Sequence, residues 1–355
     1  MRPIYTVTVQ PDEFTQAAST AFDYKFEGES KFEGWEKPMI PSDFSIGLIL
    51  GPSGSGKSLL LKMFGQEKEI VWNPEKAVVS HFSAPSDAID RLMAVGLNSI
   101  PSWCRPFHVL SNGEQFRAGL ARKLENGAVV DEFTSVIDRN VAKAASVAMR
   151  RYVDRTGLKN IVLASCHYDI LEWLRPDWYF DTVDGILHDG RSLQRPSIEI
   201  RIYPCAKDTW AVFAKHHYLT EDFNKAARAY LATATFAGSE SVVGFASALP
   251  MPNGKIPNAW REHRTVVLPD FQGLGLGPKI SDRVAQIHLE QGKRYFSRTA
   301  HPRFGAYRDR SRAWRKTSQY EVRRPRKSIE HNVNRDAQTG DSRMCFSHEY
   351  IGLSK

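Results

Sequence analysis

Apolar and polar residues change rhythm along this chain, and each change marks an element. Near the start, Ile4-Tyr5-Thr6-Val7-Thr8-Val9 alternates, the period-two signature of a strand with one covered face, and a polar stretch dotted with aromatics follows from 22 to 35. From 46 to 185, short unbroken apolar runs at 46–50, 77–79, 128–130 and 161–164 are separated by helical spacing at 57–64, 115–125 and 140–155. Such runs predict strands buried on both faces, and their alternation with helices predicts a mostly parallel sheet covered by helices. Residues 186–198 are polar, hold one Gly and one Pro, and read as a connector. The pattern then restarts, with strands expected at 198–202, 242–247, 264–268 and 295–298 and helices at 223–232 and 280–291. The expected division is 1–187, a linker at 188–198, a second unit at 199–320 and a basic extension at 321–355.

Length agrees with two units, since 355 residues at about 150 residues per domain give two. An apolar content of 42% with 25% charged residues excludes wholesale disorder. The apolar runs fall far short of the ~18 residues that span a bilayer, and the N-terminus lacks a signal peptide's apolar core. A cytoplasmic protein without a membrane partner is expected. Cys104, Cys166, Cys205 and Cys345 are scattered with no CxxC pair and no paired metal-ligand spacing, which suits a reducing compartment. The net charge of +8 is unevenly placed: residues 301–355 hold 13 Lys and Arg against 6 Asp and Glu. That basic segment is either a solvated face or a polyanion-binding one.

Gly51-Pro-Ser53-Gly54-Ser-Gly56-Lys57-Ser58 fits GxxxxGK[ST], with an apolar strand before it and a helix after it. Glycines there let successive backbone N–H groups curl round a phosphate at a helix N-terminus. Lys57 would reach the β- and γ-phosphates and the Ser58 hydroxyl would ligate Mg²⁺. The strand at 128–130 ends in Asp131-Glu132. An Asp so placed can hold Mg²⁺ through water, and the next Glu can deprotonate an attacking water. Leu110-Ser111-Asn112-Gly113-Glu114 opens a helix, where Ser111 and Gly113 form an anion site.

In this order the motifs resemble an ABC-type ATPase domain: Gly51–Ser58 the Walker A, Leu110–Glu114 the LSGGQ signature, Val129–Glu132 the Walker B and 135–138 the D-loop. The resemblance implies that Glu132 is the catalytic base and that His167 is the switch histidine touching the γ-phosphate. It also implies ATP and Mg²⁺ as ligands and a homodimer that sandwiches ATP. The signature departs from the family at Asn112 and Glu114, and it lies only about 50 residues after the P-loop. No Q-loop glutamine is evident, His81 standing near its place. The curtailed helical region argues against a transporter subunit, which would associate with a membrane.

Further on, Arg264-Thr-Val-Val-Leu-Pro269-Asp-Phe-Gln272-Gly273-Leu-Gly275-Leu-Gly277 leads a strand into a glycine-rich turn and a helix, a cradle for a pyrophosphate. It resembles the coenzyme-A loop of the GNAT acyltransferases. The fold class expected is therefore α/β, a P-loop ABC-type ATPase domain followed by a smaller α+β GNAT-like domain. The resemblance implies acetyl-CoA or another acyl-CoA as donor and Tyr307 as the acid for the departing thiolate, with Pro302 interrupting the helix expected there. Glu262 and His263, just upstream, are candidate general bases, His having the suitable unperturbed pKa. Lys215-His216-His217-Tyr218-Leu219, expected on a helix, and Tyr307-Arg308-Asp309-Arg310-Ser311 are faintly similar to Mom-type phage DNA-modifying acyltransferases. Arg308, Arg310, Arg312, Arg315 and Lys316 interleave with Tyr307 and Trp314, and Arg323, Arg324, Arg326 and Lys327 follow, a composition suited to nucleic acid. Two functions stay open: an ATPase coupled to an N-acyltransferase that acts on nucleic acid, and an ATP-gated nucleic-acid clamp whose GNAT-like domain is not catalytic.

Overall fold

Five apolar residues in a row leave no face for water, and every residue of Ile46–Leu50 is buried. The computed structural model around that strand describes residues 2–217, 222–236, 239–252, 254, 256–317 and 345–352. The chain falls into two units, Met1–Arg195 and Pro196–Lys355.

In the first unit, β1 (Ile4–Thr8) and β2 (Glu29–Glu33) form an antiparallel pair with α1 (Glu13–Ala21) between them in sequence. Next come β3 (Ile46–Leu50), α2 (Lys57–Leu61), α3 (Pro85–Ala94), α4 (Ile100–Trp103), α5 (Asn112–Lys123) and β4 (Val129–Val130). They are followed by α6 (Arg139–Thr156), β5 (Ile161–Ser165), α7 (Leu171–Leu174), β6 (Trp178–Asp181) and β7 (Ile186–Asp189). The sheet order is β4-β5-β3-β6-β7, with the first four strands parallel and β7 antiparallel. Successive side chains of β3 point to opposite faces. Leu48 and Leu50 join Leu92, Leu120 and Met149 in one core, while Ile49 joins Leu60, Leu61 and Trp178 in the other. Each such burial stabilises the fold by about 1.5–3 kcal/mol. Because β3, β4 and β5 run parallel, their C-terminal ends open on one edge, where Gly51, Asp131 and His167 follow them.

In the second unit, β8 (Glu199–Cys205), α8 (Trp210–Ala214), β9 (Arg228–Phe236), β10 (Ser239–Pro250) and β11 (Ala259–Val267) precede α9 (Leu276–Glu290). After it come β12 (Arg294–Thr299), α10 (Pro302–Arg310), β13 (Trp314–Lys316) and β14 (Phe346–Tyr350). The seven strands run in the order β8-β9-β10-β11-β12-β14-β13. Among them only β11 and β12 pair parallel.

Several expectations fail for identifiable reasons. The run at 77–79 forms no strand: Ala77 makes one bridge to Pro106, whose missing N–H cannot extend a ladder, and Val78–His81 closes as a 3-10 turn. The Ala-rich stretch expected as a helix at 223–232 runs into strand β9, paired on both sides by β8 and β10, so sheet pairing overrides the alanines' helix propensity. Part of the expected linker is β7. His216 and His217 follow α8 in a turn and are not helical, and Tyr218 and Leu219 lie outside the described residues. Pro302 starts α10 at a position where its missing N–H costs nothing. No helix among the described residues is long and apolar enough to cross a membrane.

Candidate functional site

The chain must reverse at once between β3 and α2, and glycines make that possible. Gly51, Gly54 and Gly56 take φ of +146°, +78° and +86°, and Gly56 caps α2 in a left-handed conformation that costs other residues about 1–2 kcal/mol. A Cβ on Gly51 would lie 1.7 Å from Thr182 Oγ1. That hydroxyl sits there to donate, with Leu50 O at 3.0 Å and Ser55 Oγ at 2.7 Å. Trp35 donates its indole N–H to Ser55 O at 2.8 Å. Lys57 is buried, and its Nζ donates to Pro52 O at 2.7 Å. Among the described residues no carboxylate pairs with this ammonium, and a buried cation calls for an anion. The donor set fits a phosphate. Ser53, Gly54 and Ser58 are exposed along the loop.

At the same edge, Asp131 Oδ1 accepts the Glu132 N–H at 2.8 Å. Glu132 is exposed, and it and Thr134 take positive φ, +49° and +70°. His167 donates its backbone N–H to Ser165 Oγ at 3.1 Å, and its Nδ1 lies 3.0 Å from Arg139 Nη1. Burial, then the Arg139 charge, holds its pKa below the ordinary histidine value. Ser111 caps α5 through a reciprocal box with Glu114. Glu114 accepts from the Ser111 N–H at 3.0 Å, the Ser111 hydroxyl at 2.9 Å and Ser102 Oγ at 2.6 Å. Burial raises the Glu114 pKa, but these hydrogen bonds outweigh it and keep the carboxyl below its usual value. Gly113 lies in the first turn of the same helix. Asp138 caps α6, accepting from Asn140 N at 2.7 Å. His81 serves its own loop: Nε2 accepts from Asn73 N at 3.0 Å and Nδ1 faces Ala77 O at 2.9 Å.

In the second unit, β11 and β12 pair for only three residues, Ala259, Trp260 and Arg261 against Arg294, Tyr295 and Phe296. Beyond that their ladder ends. Across β11, Ser247 faces Arg264 and Ala248 faces Glu262, so His263 is the extra residue of a β-bulge. Both base candidates therefore lie inside the strand rather than upstream of it. Glu262 is bound on all sides: Arg308 Nη2 at 2.7 Å, Thr265 Oγ1 at 2.7 Å and Ser297 Oγ at 2.5 Å. Burial pushes its carboxyl up, but the Arg308 charge and these hydroxyls outweigh it and hold the pKa below the ordinary value. It is a structural anion. His263 differs. Its Nε2 is buried without a partner among the described residues, and burial, with Arg264, Arg261 and His217 nearby, pushes its pKa down to about 4. The ring is neutral at neutral pH.

Arg308 was expected on a basic surface. Its side chain has no exposed area, because the guanidinium lies between the rings of Phe304 and Trp314, 4.3 and 4.5 Å from their centroids. It also bonds Ser281 and Ser297. Trp314 is likewise buried, and Arg315 pairs with Glu349 at 2.7 Å. Arg310, Arg312 and Lys316 are exposed; Arg323, Arg324, Arg326 and Lys327 lie outside the described residues. The Tyr307 hydroxyl donates to Asp282, which also accepts the Trp314 indole N–H at 2.8 Å. Burial and then that carboxylate push the phenol's pKa up, so its proton is held firmly. Sequence reading missed Asp282, Ser281 and Ser297. Nothing in their spacing marks them: Ser281 and Asp282 are consecutive in α9 and so point to different sides of the helix.

After β11 the chain passes a 3-10 turn, Pro269–Phe271, and the Gln272 amide donates to Val267 O at 3.0 Å. Gly273 and Gly275 have φ of +100° and +78°. Gly275 caps the 15-residue α9 with no side-chain cap and no acid in the first turn, leaving the helix end suited to an anion. Gly277 lets the Phe304 ring come within 3.3 Å of where a Cβ would be. These residues fit a pyrophosphate.

No curated protein matches this sequence. Among solved structures, the chain is similar to an IAA acetyltransferase from Bacillus cereus at 16% identity, covering 43% of this chain and 99% of that one, with a TM-score of 0.29. It is also similar to the ribosomal-protein-S18-alanine N-acetyltransferase of Escherichia coli, at 13% identity over 44% and 97%, TM-score 0.30. A dimeric bacterial ABC transporter cassette matches at 13% identity over 43% and 87%, TM-score 0.34. Residues 197–308, most of the second unit, match the family model of the acetyltransferase (GNAT) family.

Proposed function

We propose that this chain is an ABC-type ATPase joined to an acyl-CoA-dependent N-acyltransferase whose acceptor is a nucleic acid. The observation that carries the acyltransferase half is the Gly275-capped end of α9 beside strands that pair for three residues and then part, within the family match at 197–308. Gln272, Gly273, Gly275 and Gly277 would hold the pyrophosphate of acetyl-CoA or another acyl-CoA, which supplies the acyl group as a thioester. His263 takes the proton from the acceptor nitrogen as it attacks. Tyr307 meets the departing sulfur only by giving up Asp282. In the first unit, Gly51, Ser53, Gly54, Gly56 and Lys57 would surround the phosphates of ATP, with Ser58 and Asp131 holding Mg²⁺. Glu132 would take the proton of the attacking water and His167 would touch the γ-phosphate, while Ser111 and Gly113 would face a partner copy's nucleotide. For Ser111 this requires the Glu114 clasp to open. The exposed Arg310 and Arg312 support the acceptor class.

A second reading has its own support. Glu262 is consumed by Arg308 and Tyr307 by Asp282, which suits a GNAT-like domain that binds without catalysing, in an ATP-gated clamp. Calorimetric titration of the full chain with acetyl-CoA separates the two, wild type beside Gly275→Glu. The variant puts a carboxylate where the pyrophosphate charge would sit and strains a left-handed position. Binding on the order of micromolar, lost in the variant, is expected. A folded, ATP-binding wild type that ignores acetyl-CoA would overturn the acyltransferase reading in favour of the clamp.

A further inference from the structure

Arg139 stands where helix electrostatics disfavours a cation. It is the first residue of α6, an 18-residue helix, whose N-terminus carries partial positive charge. A broken local rule is offset by something else, and the contacts of this side chain show what. Nε donates to Asp169 Oδ2 at 3.1 Å, and Nη2 donates to the other oxygen of the same carboxylate. Nη1 reaches Thr134 O at 3.3 Å and His167 Nδ1 at 3.0 Å. An arginine has only donors and keeps its proton. His167 Nδ1 must therefore be the lone-pair acceptor, and the proton of the neutral ring sits on Nε2.

We infer that Arg139 is a positioning residue that locks His167 as the neutral Nε2–H tautomer, so the ring offers the γ-phosphate a donor and never a lone pair. The inference rests on the reading of His167 as the γ-phosphate contact. Asp169 is the other half of the device. It holds the guanidinium in a two-pronged grip, and Lys143 Nζ lies 3.8 Å from its Oδ2. The charges facing His167 are Arg139, Asp169 and Glu132, and burial with Arg139 prevails, holding the ring's pKa below the ordinary histidine value. Without Arg139, Asp169 keeps Lys143 as its cationic neighbour, and its charge, which favours protonation of His167, draws a proton onto Nδ1. At high pH that proton comes from Nε2, turning a lone pair toward the phosphate. At low pH the ring takes a second proton, and Nε2–H returns.

The test is imidazole ¹⁵N NMR on the nucleotide-free full chain, with His167→Gln to assign the resonances and ATP hydrolysis followed in parallel. In wild type, Nδ1 is expected to stay unprotonated across pH 6 to 8, with hydrolysis varying less than about twofold over the same span. In Arg139→Ala, Nδ1 is expected to carry a proton, with hydrolysis down about tenfold at pH 8 and partly restored at pH 6. Asp169→Asn removes the competing charge but leaves Arg139 the amide oxygen and Thr134 O as acceptors, so Nδ1 should remain unprotonated there even if the alanine variant folds poorly. A wild-type ring that titrates near its ordinary value, an Nδ1 proton in Asp169→Asn, or an unchanged ring in Arg139→Ala overturns the proposal. The ring measurement needs no nucleotide. A locked ring in a protein that hydrolyses no ATP would thus count against the ATPase reading alone.

Discussion

His288 has no exposed surface, and its Nδ1 faces Val284 O at 2.9 Å while Nε2 has no partner among the described residues. Burial outweighs the Val284 hydrogen bond and, with Lys293 and Arg228 nearby, pushes the pKa from 6.5 down to about 4. A histidine with a lowered folded pKa contributes fully above the unfolded value and loses that contribution as pH falls from about 6.5 toward 4. The second unit should weaken by about 1 kcal/mol per pH unit across that window from this ring, and His263 acts in the same direction. Hydrogen exchange of the α9 amides would read it: protection should drop between pH 6.5 and 5 in wild type, after correction for intrinsic rates, and drop about half as much in His288→Gln, which keeps His263. An equal response of both proteins would refute it. At this scale, what the sequence makes legible is what backbone geometry dictates. Gly51, Gly54 and Gly56 in one loop and Gly273 and Gly275 in the other occupy positive φ for a reason visible in their spacing, and Ser111-x-x-Glu114 spells a capping box. Buried charge is not legible. Arg308 is spaced like any surface arginine, and only the fold shows the two rings and the carboxylate that hold it.

Between elements, Arg308 ties four together: its own α10, Glu262 on β11, Ser297 on β12 and Ser281 on α9. Removing one partner of a buried ion pair strands the other charge, at a cost of about 3–5 kcal/mol. Arg308→Ala should lower the stability of the second unit by that amount in urea unfolding. Replacing both partners, as in Arg308→Met with Glu262→Leu, should cost far less. Equal losses in the single and double variants would show that packing, not the stranded carboxylate, sets the penalty. Element types follow from the sequence where a run has one plausible neighbour environment, as for β3, β5 and α6. They fail where pairing decides. The alanines before Phe236 accept either helix or strand, and the flanking strands β8 and β10 choose. The run at 77–79 lacks a neighbour able to continue a ladder, so its apolar residues never become a strand.

For the whole molecule, the proposed ATP sandwich needs two copies. A Glu132→Gln variant that binds ATP but cannot activate water should accumulate the closed state. Light scattering coupled to size exclusion should then show a mass double the 40.2 kDa chain with ATP and Mg²⁺, reverting when nucleotide is removed. A variant that binds ATP yet stays monomeric would sink the sandwich. The two-unit division is visible in the sequence as a restart of the apolar rhythm, and the chain divides at Arg195 and Pro196, within the polar stretch 186–198. Strand order is not visible there, because it is set by which edges remain open once local pairs have formed.

That order has a consequence for the birth of the protein. β14 (Phe346–Tyr350) lies between β12 and β13 in the sheet, although β12 ends at Thr299. A ribosome adding about 5–20 residues per second needs several seconds to supply the missing strand. Throughout that interval the edge of β12 offers its backbone to any neighbouring chain, so on crowded polysomes this unit would be a natural client for co-translational chaperones.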